Sequence, residues 1–218
     1  RSDALVAIGV IVVIMMMIIP LPSVLLDTFM AANLVLALLI VLITLYTQRA
    51  LEFSAFPSIL LVTTVFGLAL NVSSTRLILS QGENFAGRIV RAFSQFVVGA
   101  GGTEGIVIGV IIFIIIVAVQ FMVITKGATR VAEVAARFTL DALPGKQMAI
   151  EAEYNSGLLS EEEAQTKKND LQREADFYGA MDGASKFVQG NVKVGILITV
   201  VNIVGGVVVG MTLRGETF

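Results

Sequence analysis

The stretch Ile106 to Ile124, interrupted only by Gln120, is so apolar that only a bilayer suits it. At about 1.5 Å per helical residue it crosses a hydrocarbon core of roughly 30 Å. It does not stand alone. Ala4 to Leu26, Phe29 to Tyr46, Pro57 to about Leu79 and Val192 to Leu213 repeat the pattern, so the chain is read as an integral membrane protein. Composition agrees: 56% of its residues are hydrophobic and 15% charged, and the apolar ones are gathered into runs.

These runs predict an all-α fold, a polytopic helical membrane protein with about five transmembrane helices and a small helical cytoplasmic insertion. Residues 1–125 hold four spans and an interfacial helix near 85–97, 126–191 form the charged segment, 192–213 form the fifth span and 214–218 are a tail. With Arg1 at its start and an apolar run at its end, the chain is expected to be part of a longer protein.

In the first run, Pro20 and Pro22 are expected to kink the outer end of one retained helix. A cleavable signal peptide is the plainer alternative, but the run exceeds an h-region of about 7–15 residues and lacks a small-x-small site. A tight connection at Asp27 and Thr28 then makes the first two spans an antiparallel hairpin. The third span turns polar at Asn71, Ser73, Ser74, Thr75 and Arg76. An arginine at the bilayer centre costs about 2.5–3.5 kcal/mol on insertion scales, so Arg76 belongs at the interface or against protein.

Between Ser80 and Gly102, Phe85, Ile89, Val90, Phe93, Phe96 and Val97 recur at helical spacing opposite Arg88, Arg91 and Gln95. Such a helix lies in the membrane surface or binds a partner of the same assembly. Gly99, Gly101, Gly102, Gly105 and Gly109 give the fourth span a flexible entry and a small face, and Gly206 with Gly210 gives the fifth a GxxxG face near Asn202.

The charged segment decides the function. On a helix from Arg130, the residues Arg130, Glu133, Arg137 and Asp141 share one stripe, and Val131, Val134 and Phe138 form the adjoining side expected to be buried. Glu133 and Arg137 have the favourable acid-before-base order. Leu143-Pro144-Gly145 ends this helix, a second covers Lys146 to Tyr154, and Ser160 with Glu163 opens a third running to about Tyr178. Glu163 and Lys167 form a further pair, and Leu158, Leu159, Leu171 and Phe177 supply a small core. Met181-Asp182-Gly183 is expected to break the helix before Lys186. By spacing alone these charges are a solvated ladder, with pairs worth about 0.2–1 kcal/mol each, and Asp182 is a turn former.

Several classes are excluded. Zero Cys and zero His remove disulfides, thiol chemistry and the usual zinc ligands, and proton handling falls to Asp, Glu, Lys or Arg. A net charge of −2 without a dense basic cluster gives no reason to expect nucleic acid. No nucleotide fingerprint is present, so nucleotide hydrolysis, and with it an enzyme of that kind, is not expected, and no cofactor is implied. Lys126, Arg130 and Arg137 after the fourth span, with Lys186 and Lys193 before the fifth, place 126–191 in the cytoplasm. Arg76, Arg88 and Arg91 then fall outside, against the rule unless headgroups hold them.

RVAEVAARFTLDALPGKQMAIEAEY from Arg130, ADFYGAMDGASKFVQGN from Ala175, LNVSSTR from Leu70, FVVGAGGTEGI from Phe96 and FMVITKGA from Phe121 resemble the FHIPEP family of flagellar, hypersensitive-response and invasion export-pore proteins. The resemblance covers most of the chain. It implies an export-gate subunit of a type III secretion apparatus, of the flagellar kind, in the bacterial inner membrane. Such a subunit forms a homo-oligomeric ring in the lipid bilayer with other export-gate membrane proteins and soluble export components. It couples an ion gradient to passage of unfolded protein substrates. The ion-coupling or gating candidates carried by this resemblance are Arg130, Glu133, Arg137, Asp141, Lys146, Asp182, Lys186 and Asn191. Glu151 stands where the family has Asp, and Asn191 where many members have an acid. An amide holds water or a cation but carries no proton, which leaves Asp182 and Asp141 as relay candidates. The alternative is a membrane scaffold or docking protein that recruits soluble partners and conducts no ions.

Overall fold

The computed structural model describes residues 2–98, 103–213 and 215, and every regular element among them is a helix. These are α1 (Ser2–Ile18), α2 (Ser23–Tyr46), a 3₁₀ turn (Ala50–Phe53), α3 (Phe56–Gln81), a short second 3₁₀ segment (Gly82–Asn84) and α4 (Arg88–Val98). They continue with α5 (Thr103–Val119), a π-helical stretch (Gln120–Ala128), α6 (Thr129–Asp141), α7 (Leu143–Asn155) and α8 (Glu161–Leu213). Four stretches are long and apolar enough to cross a membrane: Ser23–Tyr46, Phe56–Gln81, the helical run Val107–Asn155, and Glu161–Leu213. Ala7–Ile18 is a shorter apolar helix. The chain is an all-α membrane protein. Gly99, Gly101 and Gly102, expected to give a flexible entry, lie outside the described residues, as does most of the 214–218 tail.

The first run is two helices rather than one reaching Leu26. Each proline biases its predecessor towards extended backbone, so α1 stops at Ile18, and Pro22, at φ −59° and ψ 145°, opens α2. Asp27 and Thr28 therefore lie inside α2, where the Thr28 hydroxyl donates to the Val24 carbonyl at 2.9 Å.

Helix α3 is the centre of the bundle, packing on α1, α2 and α8. Val13, Met16, Leu21, Leu26, Ala69, Leu70, Leu77 and Phe85 form the buried core at the end where α1 and α3 finish. The polar half of α3 serves that junction. Ser73 Oγ donates to the Met16 carbonyl at 2.8 Å, and the Arg76 guanidinium donates to the carbonyls of Ile18 at 2.6 Å and Met17 at 3.3 Å. A cation on the last free carbonyls of a helix satisfies those groups and opposes the negative end of its dipole. Arg76 thus faces protein. The 3₁₀ turn lies at the opposite end and packs on α8, around Leu51, Ser54, Arg173 and Phe177.

Helix α4 is amphipathic, with Phe93 and Phe96 exposed. Phe85 tucks back into the core beside Gly87, where a Cβ would run into the Phe85 ring.

Helix α8 has 53 residues and is about 80 Å long at 1.5 Å per residue, more than twice a hydrocarbon core. The expected break at Met181-Asp182-Gly183 is absent. A helical glycine costs only about 1 kcal/mol, and here Lys186 pairs with Asp182 at 2.6 Å across one turn while Ala184 is buried. Helix α7 folds back on the protruding part through a turn in which Gly157 takes φ +77°, burying Ile150, Ala164 and Leu171. Leu159 packs on this small core, but Leu158, expected in it, is exposed. In the C-terminal apolar part of α8 the close approach falls at Gly205, where an added Cβ would lie 3.4 Å from Leu79; at Gly206 it would meet nothing.

Candidate functional site

The apolar helix α5 passes into nine π-helical residues, Gln120–Ala128, before α6 resumes ordinary winding. Thr129 Oγ1 donates to the Ile124 carbonyl, five residues back, at 3.1 Å. Such irregular turns persist where something fixes them, and here Gln189 of α8 does so: its Nε2 donates to the Thr125 carbonyl at 3.1 Å. Lys126 lies 5.4 Å from the Phe121 ring centre.

Beside this stretch is a cavity of about 260 Å³ lined from one side by Thr125, Lys126, Thr129, Arg130 and Glu133 and from the other by Asp182, Lys186 and Gln189. Two acids and three bases meet there. Arg130 and Glu133 pair at 3.7 Å, and Lys186 and Asp182 at 2.6 Å. The hydrogen bond from Lys186 to the Asp182 carboxylate, with its charge, raises the Lys186 pKa above the usual lysine value. Thr125 is buried, and its hydroxyl has no partner.

Of the eight residues carried by the family resemblance, four line this cavity: Arg130, Glu133, Asp182 and Lys186. The others lie elsewhere. Arg137 and Asp141 pair with each other at 3.8 Å further along α6, both largely exposed. Lys146 of α7 binds the Glu174 carboxylate of α8 at 3.1 Å and ties those helices together. Asn191 is half-buried, with Oδ1 shielded and accepting no hydrogen bond.

Two expected pairs are re-matched. Glu133 turns to Arg130 rather than Arg137, and Lys167 reaches Glu153 of α7 at 2.8 Å rather than forming an ion pair with Glu163. Glu163 instead completes the predicted capping box, accepting from the Ser160 N–H at 2.8 Å and the Ser160 hydroxyl at 3.0 Å. These bonds hold its carboxyl below the usual range, the backbone one first. Nor is the apolar side of α6 buried: Val131 is 70% and Phe138 72% exposed, and α6 packs on α8 through Ala136.

Sequence reasoning missed Thr125, Thr129 and Gln189. Gln189 was findable, since Asp182, Lys186 and Gln189 follow at one-turn and two-turn spacing on a single helix once α8 is continuous.

The model of the FHIPEP family matches residues 13–218. The chain is 65% identical over 218 residues, all of its length, to "Flagellar biosynthesis protein FlhA" of Borreliella burgdorferi, of which it covers 31%. It is 60% identical over 217 residues to the protein of that name from Treponema pallidum, with 100% of the chain and 31% of the relative covered. For that of Bacillus subtilis the identity is 52% over 213 residues, 98% of the chain and 31% of the relative. The chain thus spans about a third of the length of the curated relatives it matches. No solved structure matches it.

Proposed function

The chain belongs to the FHIPEP family, and from that premise we propose that it is the membrane part of an export-gate subunit in a flagellar-type protein secretion apparatus. It sits in the bacterial inner membrane with residues 126–191 on the cytoplasmic side. There it couples an ion gradient to the passage of unfolded flagellar proteins, hydrolyses no nucleotide, and assembles as a ring with other export-gate membrane proteins and soluble components. The supporting observation is the cluster of Arg130, Glu133, Asp182 and Lys186, gathered in one cavity beside the π-helical stretch that follows the apolar helix α5. Each pair lies within one helix, Arg130 with Glu133 on α6 and Asp182 with Lys186 on α8, and the two face one cavity, so partners can be exchanged across it as those helices shift, which is what coupling requires. Arg137, Asp141, Lys146 and Asn191 act around that centre, Arg137 and Asp141 by contacting neighbouring subunits. The bared Val131 and Phe138 supply an apolar face for such a neighbour.

The same bared face favours a second reading, a docking protein that recruits soluble partners and conducts nothing. Secretion separates the two. In a flagellated bacterium whose own relative has been deleted, the full-length protein carrying this segment restores secretion and swimming under the first reading. Collapsing the ion gradient then stops secretion while assembly persists. Restored assembly with secretion indifferent to the gradient favours docking.

A further inference from the structure

In the α-helices of this chain threonine hydroxyls donate to the carbonyl four residues back, as Thr28, Thr64, Thr75, Thr139, Thr166 and Thr199 do at 2.6 to 3.0 Å. At the π-helical stretch Gln120–Ala128 that habit fails. Thr129, just beyond it, reaches five residues back to Ile124, and Thr125, inside it and 4% exposed, has a hydroxyl without a partner. Ordinary α winding would bring the Phe121 carbonyl to that hydroxyl. A shielded hydroxyl left unpaired is thus a cost that the π winding bears and α winding removes. Gln189 of α8 offsets it, its Nε2 donating to the Thr125 carbonyl at 3.1 Å.

The winding also aims α6. Nine residues make about 2.5 turns at 3.6 per turn and about 2 turns at roughly one residue more, so re-winding the stretch turns α6 by about half a turn. Helix α6 now meets α8 through Ala136, 3% exposed, and leaves Val131 and Phe138 bare. On a helix of 3.6 residues per turn those two lie roughly 150° around from Ala136. Half a turn therefore carries the apolar side of α6 onto α8 and swings Arg130 and Glu133 away from Asp182 and Lys186.

We propose that α6 has two registers: the one described, with the stretch π-wound and latched by Gln189, and a second, with the stretch α-wound, Thr125 bonded to the Phe121 carbonyl and Val131 and Phe138 packed on α8. Exchange between them breaks and remakes the charged cluster. The registers rest on the geometry; their use in coupling rests on the export reading above.

The test is maleimide labelling of the full-length protein in native membrane vesicles, with any cysteine outside these residues replaced by serine; the 218 residues themselves hold none. Phe138→Cys should label fast and Ala136→Cys slowly. Gln189→Met, similar in length and without the N–H donors, should favour the second register, so that Ala136→Cys labels about threefold faster and Phe138→Cys more slowly. Adding Thr125→Val, whose side chain needs no partner in either register, should return both rates most of the way. Should Gln189→Met fail to insert, Thr125→Val alone decides, and it should slow Ala136→Cys about threefold. An Ala136→Cys rate indifferent to these changes overturns the proposal. So do two rates that rise together, because that reports a detached α6. Labelling needs no export: exchange of registers in a protein that restores no secretion supports the switch and removes the export reading.

Discussion

Asp27 of α2 caps the start of α4 from 61 and 62 residues away, its carboxylate accepting the backbone N–H groups of Arg88 at 2.9 Å and Ile89 at 3.2 Å. An acid at this position satisfies two free donors of the first turn and complements the helix dipole. Asp27→Ala should loosen the start of α4 by about 1 kcal/mol, with Asp27→Asn retaining most of the cap. Hydrogen exchange of the Arg88 and Ile89 amides reads this directly; unchanged protection in Asp27→Ala contradicts it.

Helix α4 should lie in the membrane surface, with Phe96, now 86% exposed, in lipid and Gln95 towards water. These 218 residues hold no cysteine, so spin labels at these two positions report without background from this part of the protein. Equal water accessibility at both sites would show that the exposed ring does not meet lipid.

Arg76 should hold α1 to α3. Losing its bonds to Ile18 and Met17 in Arg76→Leu should cost about 1 kcal/mol, the scale of a cation at a helix C-terminus. Disulfide formation between Met16→Cys and Ser73→Cys, placed where the two backbones meet, should slow in that background. An unchanged rate would mean that apolar packing alone sets the junction.

The Ser160 and Glu163 capping box carries a pH signature. Because the folded carboxyl sits below its ordinary pKa, its stabilisation is complete above the ordinary range and fades as pH falls through the lowered value. Lys186 runs the other way: its pair with Asp182 is fully present below the usual lysine pKa and is lost only as pH rises through the raised one. The amide chemical shift of Ser160, whose N–H donates to this carboxylate, should thus move in acid, and most of that movement should vanish in Glu163→Gln, which preserves the box. Acid-dependent shifts that persist in that variant would assign the titration to another group.

Much of this was legible in the sequence because it follows from local rules. The apolar runs from the second to the fifth, the amphipathic pattern of α4, the helix end before Pro144 and the Ser160 cap all depend on residues a few positions apart. What escaped depends on distant partners. Asp27 resembles a turn residue until Arg88, 61 residues on, is beside it. The Met181-Asp182-Gly183 break failed for a nearer reason, the pairing of Asp182 with Lys186 one turn along a helix that runs straight through. The charges of α6 were visible, but not which of them face α8. Arg130 and Glu133 do; Arg137 and Asp141, one turn and two turns on, do not.

That division makes a prediction. An exposed pair 3.8 Å apart contributes about 0.5 kcal/mol or less, so Arg137→Ala and Asp141→Ala should leave Tm within about a degree or two. Export lost in either variant then reflects a missing contact with a neighbour. A Tm drop of many degrees would place the pair inside the folded core instead.

The most direct test of ion coupling at the charged cluster is secretion driven by the membrane ion gradient in cells carrying Asp182→Asn, Arg130→Ala or both. Membrane insertion and ring assembly should be unchanged, while secretion falls at least tenfold in each single variant and little further in the double, because the two residues line one cavity. Wild-type secretion in all three variants, at the wild-type level of assembly, would contradict the account.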